Sequence, residues 1–370
     1  MRRAVITTAV AAAVIGPAAG SLSCAALLWA DVPGEIYPPM QPLVGSLSAK
    51  RCGQCHPDQY QEWADSHHGQ AITDALYRAD FVDQHEPFFC DQCHAPLVEQ
   101  MPKRTTALLA VWPRLWPVQK DNPRYDAALH EEGVTCVTCH QVNGAIEGPR
   151  GDPAPHPARR SEALVSEQVC ERCHTLAMQH IGSLQRPLME TVTEWREYRA
   201  KGGDKVCQDC HMPRVADRPA ALGAEPKPAR SHRWLGPFDA ALLDQALEVK
   251  VEGEPPAAVR LRNLTGHRLP TAEPHRFVVV RVEAEGRVVE SRIERVVDTY
   301  RVSEKPGQDT TLAPREERTI PLPAHTSRVS VRFLKWTPGD ETAKAAGLSD
   351  PMLVHELFSR DFPLPSGGPK

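Results

Sequence analysis

The chain predicts a molecule of two parts, a mainly α and irregular first part whose core is a set of bound cofactors, followed by an all-β sandwich. Three observations predict it. Five copies of one pentapeptide, Cys-x-x-Cys-His, stand in the first two-thirds of the 370 residues, at 52–56, 90–94, 136–140, 170–174 and 207–211. Between them lie Pro, Gly and polar residues, with few long apolar periodic runs. From about residue 245 to residue 365 there is no cysteine, and alternating apolar segments take over.

The pentapeptide carries its own chemistry. Two thiols separated by two residues form thioether links to the two vinyl groups of one haem, and the adjacent histidine is then held under the iron as its proximal ligand. Chance would supply on the order of 0.01 copies at this composition. A Cys-x-x-Cys pair also serves redox exchange or zinc binding, but a histidine directly after the second cysteine is incidental there, and here it follows every time. A disulfide framework fits poorly, because ten of the eleven cysteines fall in the motifs. The expectation is five covalently attached haem c groups. They are held by Cys52 and Cys55, Cys90 and Cys93, Cys136 and Cys139, Cys170 and Cys173, and Cys207 and Cys210, with His56, His94, His140, His174 and His211 as proximal ligands. The fold class is a multihaem cytochrome domain with short helices and a haem-filled core, joined to a C-terminal β-sandwich.

Haem is attached to such motifs outside the cytoplasmic membrane, so an export signal is expected. Met1, Arg2 and Arg3 form a short basic start, and residues 4–30 carry no charge until Asp31. Residues 1–30 read as a cleaved signal peptide or, if retained, as a single N-terminal anchor. Cys24 is expected to leave with the signal. Residues 31–47 read as a linker, and the body of the protein is placed in the periplasm or at the outer face of the inner membrane. The net charge of -4 and the lack of a basic tract exclude nucleic acid as a partner.

The cytochrome domain is expected over residues 48–244. Its motifs begin 38, 46, 34 and 37 residues apart, a loose repeat rather than a true one. Tyr60, Trp63, His67 and Ala71 recur at near-helical spacing within 58–77, and 192–198 reads as a helix leading to the fifth motif. Aliphatic side chains are sparse there, so the porphyrins must serve as the core. The sandwich is expected over 245–365, with strands at 246–251, 258–263, 277–283, 288–294, 319–321 and 328–334, and a hairpin turn at Glu285-Gly286.

The distal side of each iron is a separate question. Eleven histidines remain after the five proximal ones: His67, His68, His85, His130, His156, His180, His232, His267, His275, His325 and His355. A surface or capping role is the ordinary fate of such a residue. Trp63, Ser66, His68 and Ala71 after the first motif resemble the Trp-x-x-Ser-x-His-x-x-Ala signature of the multihaem cytochromes, the family that includes hydroxylamine oxidoreductase and its tetrahaem cytochrome partner. Residues 90–96, 133–140 and 207–213, His232 with Gly236, and Gly266-His267 before Pro270-Thr271 extend the resemblance to about residues 50–285. It implies His68, His232, His267 and His156 as distal ligands. The fifth position is left open among His130, His180 and His85, with His130 carried forward. His275, His325 and His355 read as ordinary surface histidines, and Met212 as packing.

An electron carrier follows from mostly bis-histidine haems, since iron with histidine on both faces is coordinatively full. Its partners would be redox proteins, namely a quinol-oxidising membrane complex, other cytochromes or a terminal reductase. Oligomeric state is not legible. The alternative is a multihaem reductase or oxidoreductase of a small nitrogen or sulfur species, acting at one five-coordinate haem. No catalytic acid, base or nucleophile is assigned.

Overall fold

The computed structural model describes residues 25–28, 41–83, 90–111, 114–151, 156, 158–175, 189–272, 275–295 and 309–363. Most of the expected leader, Cys24, His85 and His180 lie outside them. Among the described residues no helix is long and apolar enough to cross a membrane.

The cysteine-free part consists of two antiparallel sheets. One has Ala258–Asn263 at its centre, flanked by Leu247–Glu252 and Glu317–Pro321. The other runs Arg287–Glu294, Phe277–Ala284, Thr326–Leu334 and Val354–Asp361. Alternation places Val259 and Leu261 from the first sheet, and Val278, Val280, Val282, Ile293, Val329, Val331 and Phe333 from the second, in one buried cluster. The expected strands form, and Glu285 and Gly286, both at positive φ, join Ala284 to Arg287 as a two-residue turn. The last strand, Val354–Asp361, is additional: its apolar residues do not alternate cleanly, and its partner strand supplies the pattern it lacks.

The motif-bearing part is built differently. Short helices hold the motifs; a long hairpin, Lys103–Val111 with Arg114–Asp121, lies between the second and third, and another, Arg214–Pro219 with Pro226–Arg230, follows the fifth. The sequence reading expected neither. Ala25–Leu28 adds a third strand against the long hairpin, so part of the expected leader is paired. Leu47, at the end of the expected linker, is buried with Leu97, Leu129 and Val137.

The helix expected over 58–77 is a correction. It is two helices, Pro57–Ala64 and Ala75–Asp83, separated by turns. Ser66 donates its hydroxyl to the Trp63 carbonyl at 2.7 Å and accepts the Gly69 N–H at 3.2 Å, so a side chain replaces the helical ladder. A Cβ on Gly69 would run into the Trp63 carbonyl, which fixes the close approach of that turn. His67 and His68 therefore leave the helix axis. The helix Thr191–Ala200 covers the expected 192–198.

The same helix fastens the two parts together. Arg295, at the end of the strand Arg287–Glu294, pairs with its Glu194 at 3.0 Å, and Arg315 donates to the carbonyls of Lys201 and Gly202 just beyond its end. A second junction packs Trp336, Ala343 and Leu353 against Leu76.

Candidate functional site

Each motif sits on a single turn of helix. In the first, the N–H groups of Cys55 and His56 both donate to the Cys52 carbonyl, at 3.0 and 2.9 Å; in the second, Cys93 and His94 donate to that of Cys90, at 3.1 and 3.0 Å. Residues at i, i+3 and i+4 share one helix face, so this turn points both thiols and the imidazole the same way. The helices Cys136–His140, Gln168–His174 and Cys207–His211 repeat the arrangement.

The imidazoles are oriented by backbone. The Nδ1 of His56 is 2.5 Å from the Ala220 carbonyl, that of His94 is 2.9 Å from Ala71, that of His140 is 2.8 Å from Glu147, and that of His211 is 2.6 Å from Leu235. Among the other histidines, Nδ1 of His232 meets the Arg230 carbonyl at 3.2 Å, Nδ1 of His267 that of Arg268 at 2.8 Å, and Nδ1 of His130 that of Gln100 at 2.7 Å. A carbonyl can only accept, so Nδ1 carries the proton and Nε2 keeps its lone pair, the tautomer a metal requires.

Among the described residues, four motif histidines each face a second imidazole. His156 lies across from His56 with ring centres 6.1 Å apart, His68 from His174 at 6.3 Å, His232 from His140 at 6.3 Å, and His267 from His211 at 6.2 Å. These separations are too long for ring stacking and uniform to 0.2 Å. A metal–imidazole bond is about 2 Å and a ring nitrogen lies about 1.1 Å from its centre, so two imidazoles on opposite sides of one ion have centres about 6.2 Å apart. The residues therefore fit a six-coordinate haem iron. Burial, helped by neighbouring imidazoles, pushes His68 down to about 3 and His174 to about 4. Burial likewise brings His232 and His267 to about 4, so these rings are neutral, as ligation requires.

The pairing does not follow sequence order. His68, which closely follows the first motif, faces the fourth; His156, just before the fourth, faces the first. The positions of the motif sulfurs show how the motifs adjoin: Cys52 lies beside Cys136, Cys93 beside Cys173, and Cys170 beside Cys207. Cys139 also lies near Cys173. The first motif thus adjoins the third, the third the fourth, and the second and fifth both adjoin the fourth.

The second motif has an aromatic neighbour. The Tyr77 ring stacks on His94 with centres 4.0 Å apart and planes 16° from parallel, lying beside the imidazole. Burial, with Asp91 and the motif thiols nearby, pushes its phenol up, and it donates to Asp91 at 3.2 Å. His130 has Tyr125 at 5.9 Å as its ring neighbour. It has a ligand's Nδ1 contact, yet it is not placed across from a motif histidine in any of the four facing pairs.

Other histidines depart from expectation. His355, read as a surface residue, joins Asp244 at 2.7 Å with its side chain 18% exposed, because the unforeseen last strand brings it there. His275 stacks on the buried Trp336 at 3.8 Å. His325 is exposed as expected, and the backbone carbonyl of Met212 accepts from Arg230 at 3.1 Å. Sequence reasoning missed Tyr77, Glu62 and Glu194, whose types recur throughout the chain; only their place beside motif and candidate histidines distinguishes them.

No protein-family model matches the chain, and no curated protein matches it. Among solved structures the chain is similar to a penta-haem cytochrome c552 from Thermochromatium tepidum, with a TM-score of 0.60 and 19% identity, over 84% of this chain and 97% of that one. That share exceeds the motif-bearing part and takes in residues of the paired sheets. The likeness is one of fold.

Proposed function

We propose that this chain is a pentahaem c-type cytochrome that carries electrons between redox partner proteins on the outer side of the cytoplasmic membrane. The observation that carries the reading is the set of four imidazole pairs with centres 6.1–6.3 Å apart. Bound haem supplies reversible one-electron chemistry at iron. The chain's own residues do the rest. The ten motif cysteines anchor the cofactors covalently. His56, His94, His140, His174 and His211 hold one side, and His156, His68, His232 and His267 close four of the others. The motif contacts lay out a path for transfer, first to third to fourth, with the second and fifth both adjoining the fourth. The partners are a quinol-oxidising membrane complex, another cytochrome or a terminal reductase. Membership in the group containing hydroxylamine oxidoreductase and its tetrahaem partner belongs to the same proposal, supported by the signature around His68.

The rival reading is a reductase of a small nitrogen or sulfur species with one open iron face. The spin-state spectrum of the ferric protein separates the two. Five low-spin haems inert to nitrite and cyanide are expected for the carrier; a full equivalent of high-spin haem binding either ligand rapidly would replace it with the enzyme. His68→Ala should turn one haem high-spin, and an unchanged spectrum would remove that ligand.

A further inference from the structure

The two distal candidates that follow the last motif, His232 and His267, must be brought back over the motif region by chain that belongs to no motif helix. Each is met there by a carboxylate. Glu62, on the helix Pro57–Ala64 behind the first motif, accepts the backbone N–H of His232 itself at 2.7 Å. Arg218 grips both oxygens of the same carboxylate, at 3.0 and 2.7 Å, and donates onward to the Arg230 carbonyl at 3.1 Å. That carbonyl is the one that also meets His232 Nδ1. Glu194, on the helix Thr191–Ala200, accepts the backbone N–H of Arg268 at 3.1 Å and the Thr271 hydroxyl at 2.5 Å, and is held by Arg295 at 3.0 Å. The carbonyl of Arg268 is the one that meets His267 Nδ1. In both cases the residue whose carbonyl orients the imidazole is tied into a carboxylate–arginine lock on a helix neighbouring a motif.

We propose that Glu62 and Glu194 are positioning residues that hold His232 and His267 in ligating place, each acting through the backbone that orients the imidazole. The proposal rests on the reading of those histidines as iron ligands. Both carboxylates sit where water is scarce: the Glu194 side chain is 3% exposed and that of Glu62 is 15% exposed. A charge-assisted bond to a backbone N–H is stronger there than in solvent. His68 uses a different device. Its carbonyl accepts the Val134 N–H at 2.9 Å, and its turn is closed locally by Ser66. Carboxylates serve the two ligands that follow the last motif.

The test uses the five-haem holoprotein, read by electron paramagnetic resonance and potentiometry. His232→Ala and His267→Ala come first, and each should turn one haem high-spin; if either leaves the spectrum unchanged, it is the ligand assignment for that histidine that fails. Given a change there, Glu62→Ala should also yield high-spin signal from the His140 haem, and Glu194→Ala from the His211 haem, whereas Glu62→Gln, which keeps an acceptor and drops the charge, should stay low-spin with one of five midpoint potentials moved upward. Five low-spin haems with unmoved potentials in Glu62→Ala would overturn the proposal while leaving the ligands intact. If Glu62→Ala does not assemble, Glu62→Gln decides: an upward shift of one potential supports the contact, and five unmoved potentials overturn it.

Discussion

The motif-bearing part and the sheet part solve the same problem by opposite means. In the sheets, alternating Val, Leu, Ile and Phe from two layers meet in one cluster, and backbone groups pair strand to strand. The motif part has short helices and long connections, and its small aliphatic cluster comprises Leu47, Leu97, Leu129 and Val137. Amide side chains there satisfy backbone that no ladder reaches. Gln100 donates to the carbonyls of Leu129 and Gly133 at 2.9 and 2.6 Å, and Asn122 to those of Val98 and Met101 at 2.6 and 2.7 Å. Buried polar groups cost little when bonded in this way. Among its described residues the motif part thus keeps a defined path with only a small aliphatic cluster.

The largest break in this comparison comes from the cofactors. Cys136→Ser with Cys139→Ser should lower the haem count of the pyridine haemochrome assay by one and leave residues 48–244 open to limited proteolysis, while the sheet part stays resistant. Equal loss of protection in both parts would show one shared core instead of two. Next in size is Leu261→Ala, fully buried between the sheets. It should cost about 2–5 kcal/mol of thermal stability, with no change in the haem spectrum; a new high-spin signal would show the sheets to be coupled to ligation more tightly than the junction at Glu194 implies.

The smallest effect concerns Asp340. It caps the helix Glu341–Ala345 through the N–H groups of Thr342 and Ala343 and accepts from Trp336 Nε1 at 3.1 Å. The Trp336 bond, then the cap bonds, hold its carboxyl below the usual aspartate range. A folded value below the unfolded one means the stabilisation is complete above the ordinary aspartate range and lost as pH falls through the depressed value. Asp340→Ala should cost about 1 kcal/mol at neutral pH, and the difference from the parent chain should vanish in acid. A difference that persists at the acid end would assign the effect to something other than the charge.

Legibility divided along the same line as construction. Six strands and the Glu285-Gly286 turn could be read because side-chain alternation is written in consecutive residues. Val354–Asp361 escaped because its pattern is irregular and only its neighbour makes it a strand. In the motif part, the helix expected over 58–77 broke at Ser66 and Gly69, whose side-chain bond and close approach no periodicity records. The pairing of His355 with Asp244 escaped for a similar reason, since the two lie far apart in sequence and meet only through the last strand.

What the sequence determined by itself is the attachment side of the site. Two thiols and an imidazole at i, i+3 and i+4 need a single helical turn, and each motif carries that turn within its own five residues. The far side belongs to the tertiary structure. His68 stands near the first motif and faces the fourth, His156 stands near the fourth and faces the first, and His232 and His267 return from beyond the last motif to locks made by Glu62 and Glu194. No local rule contains those meetings, because they depend on where long, irregular connections run, and that path is set by contacts between residues that only the folded chain brings within reach.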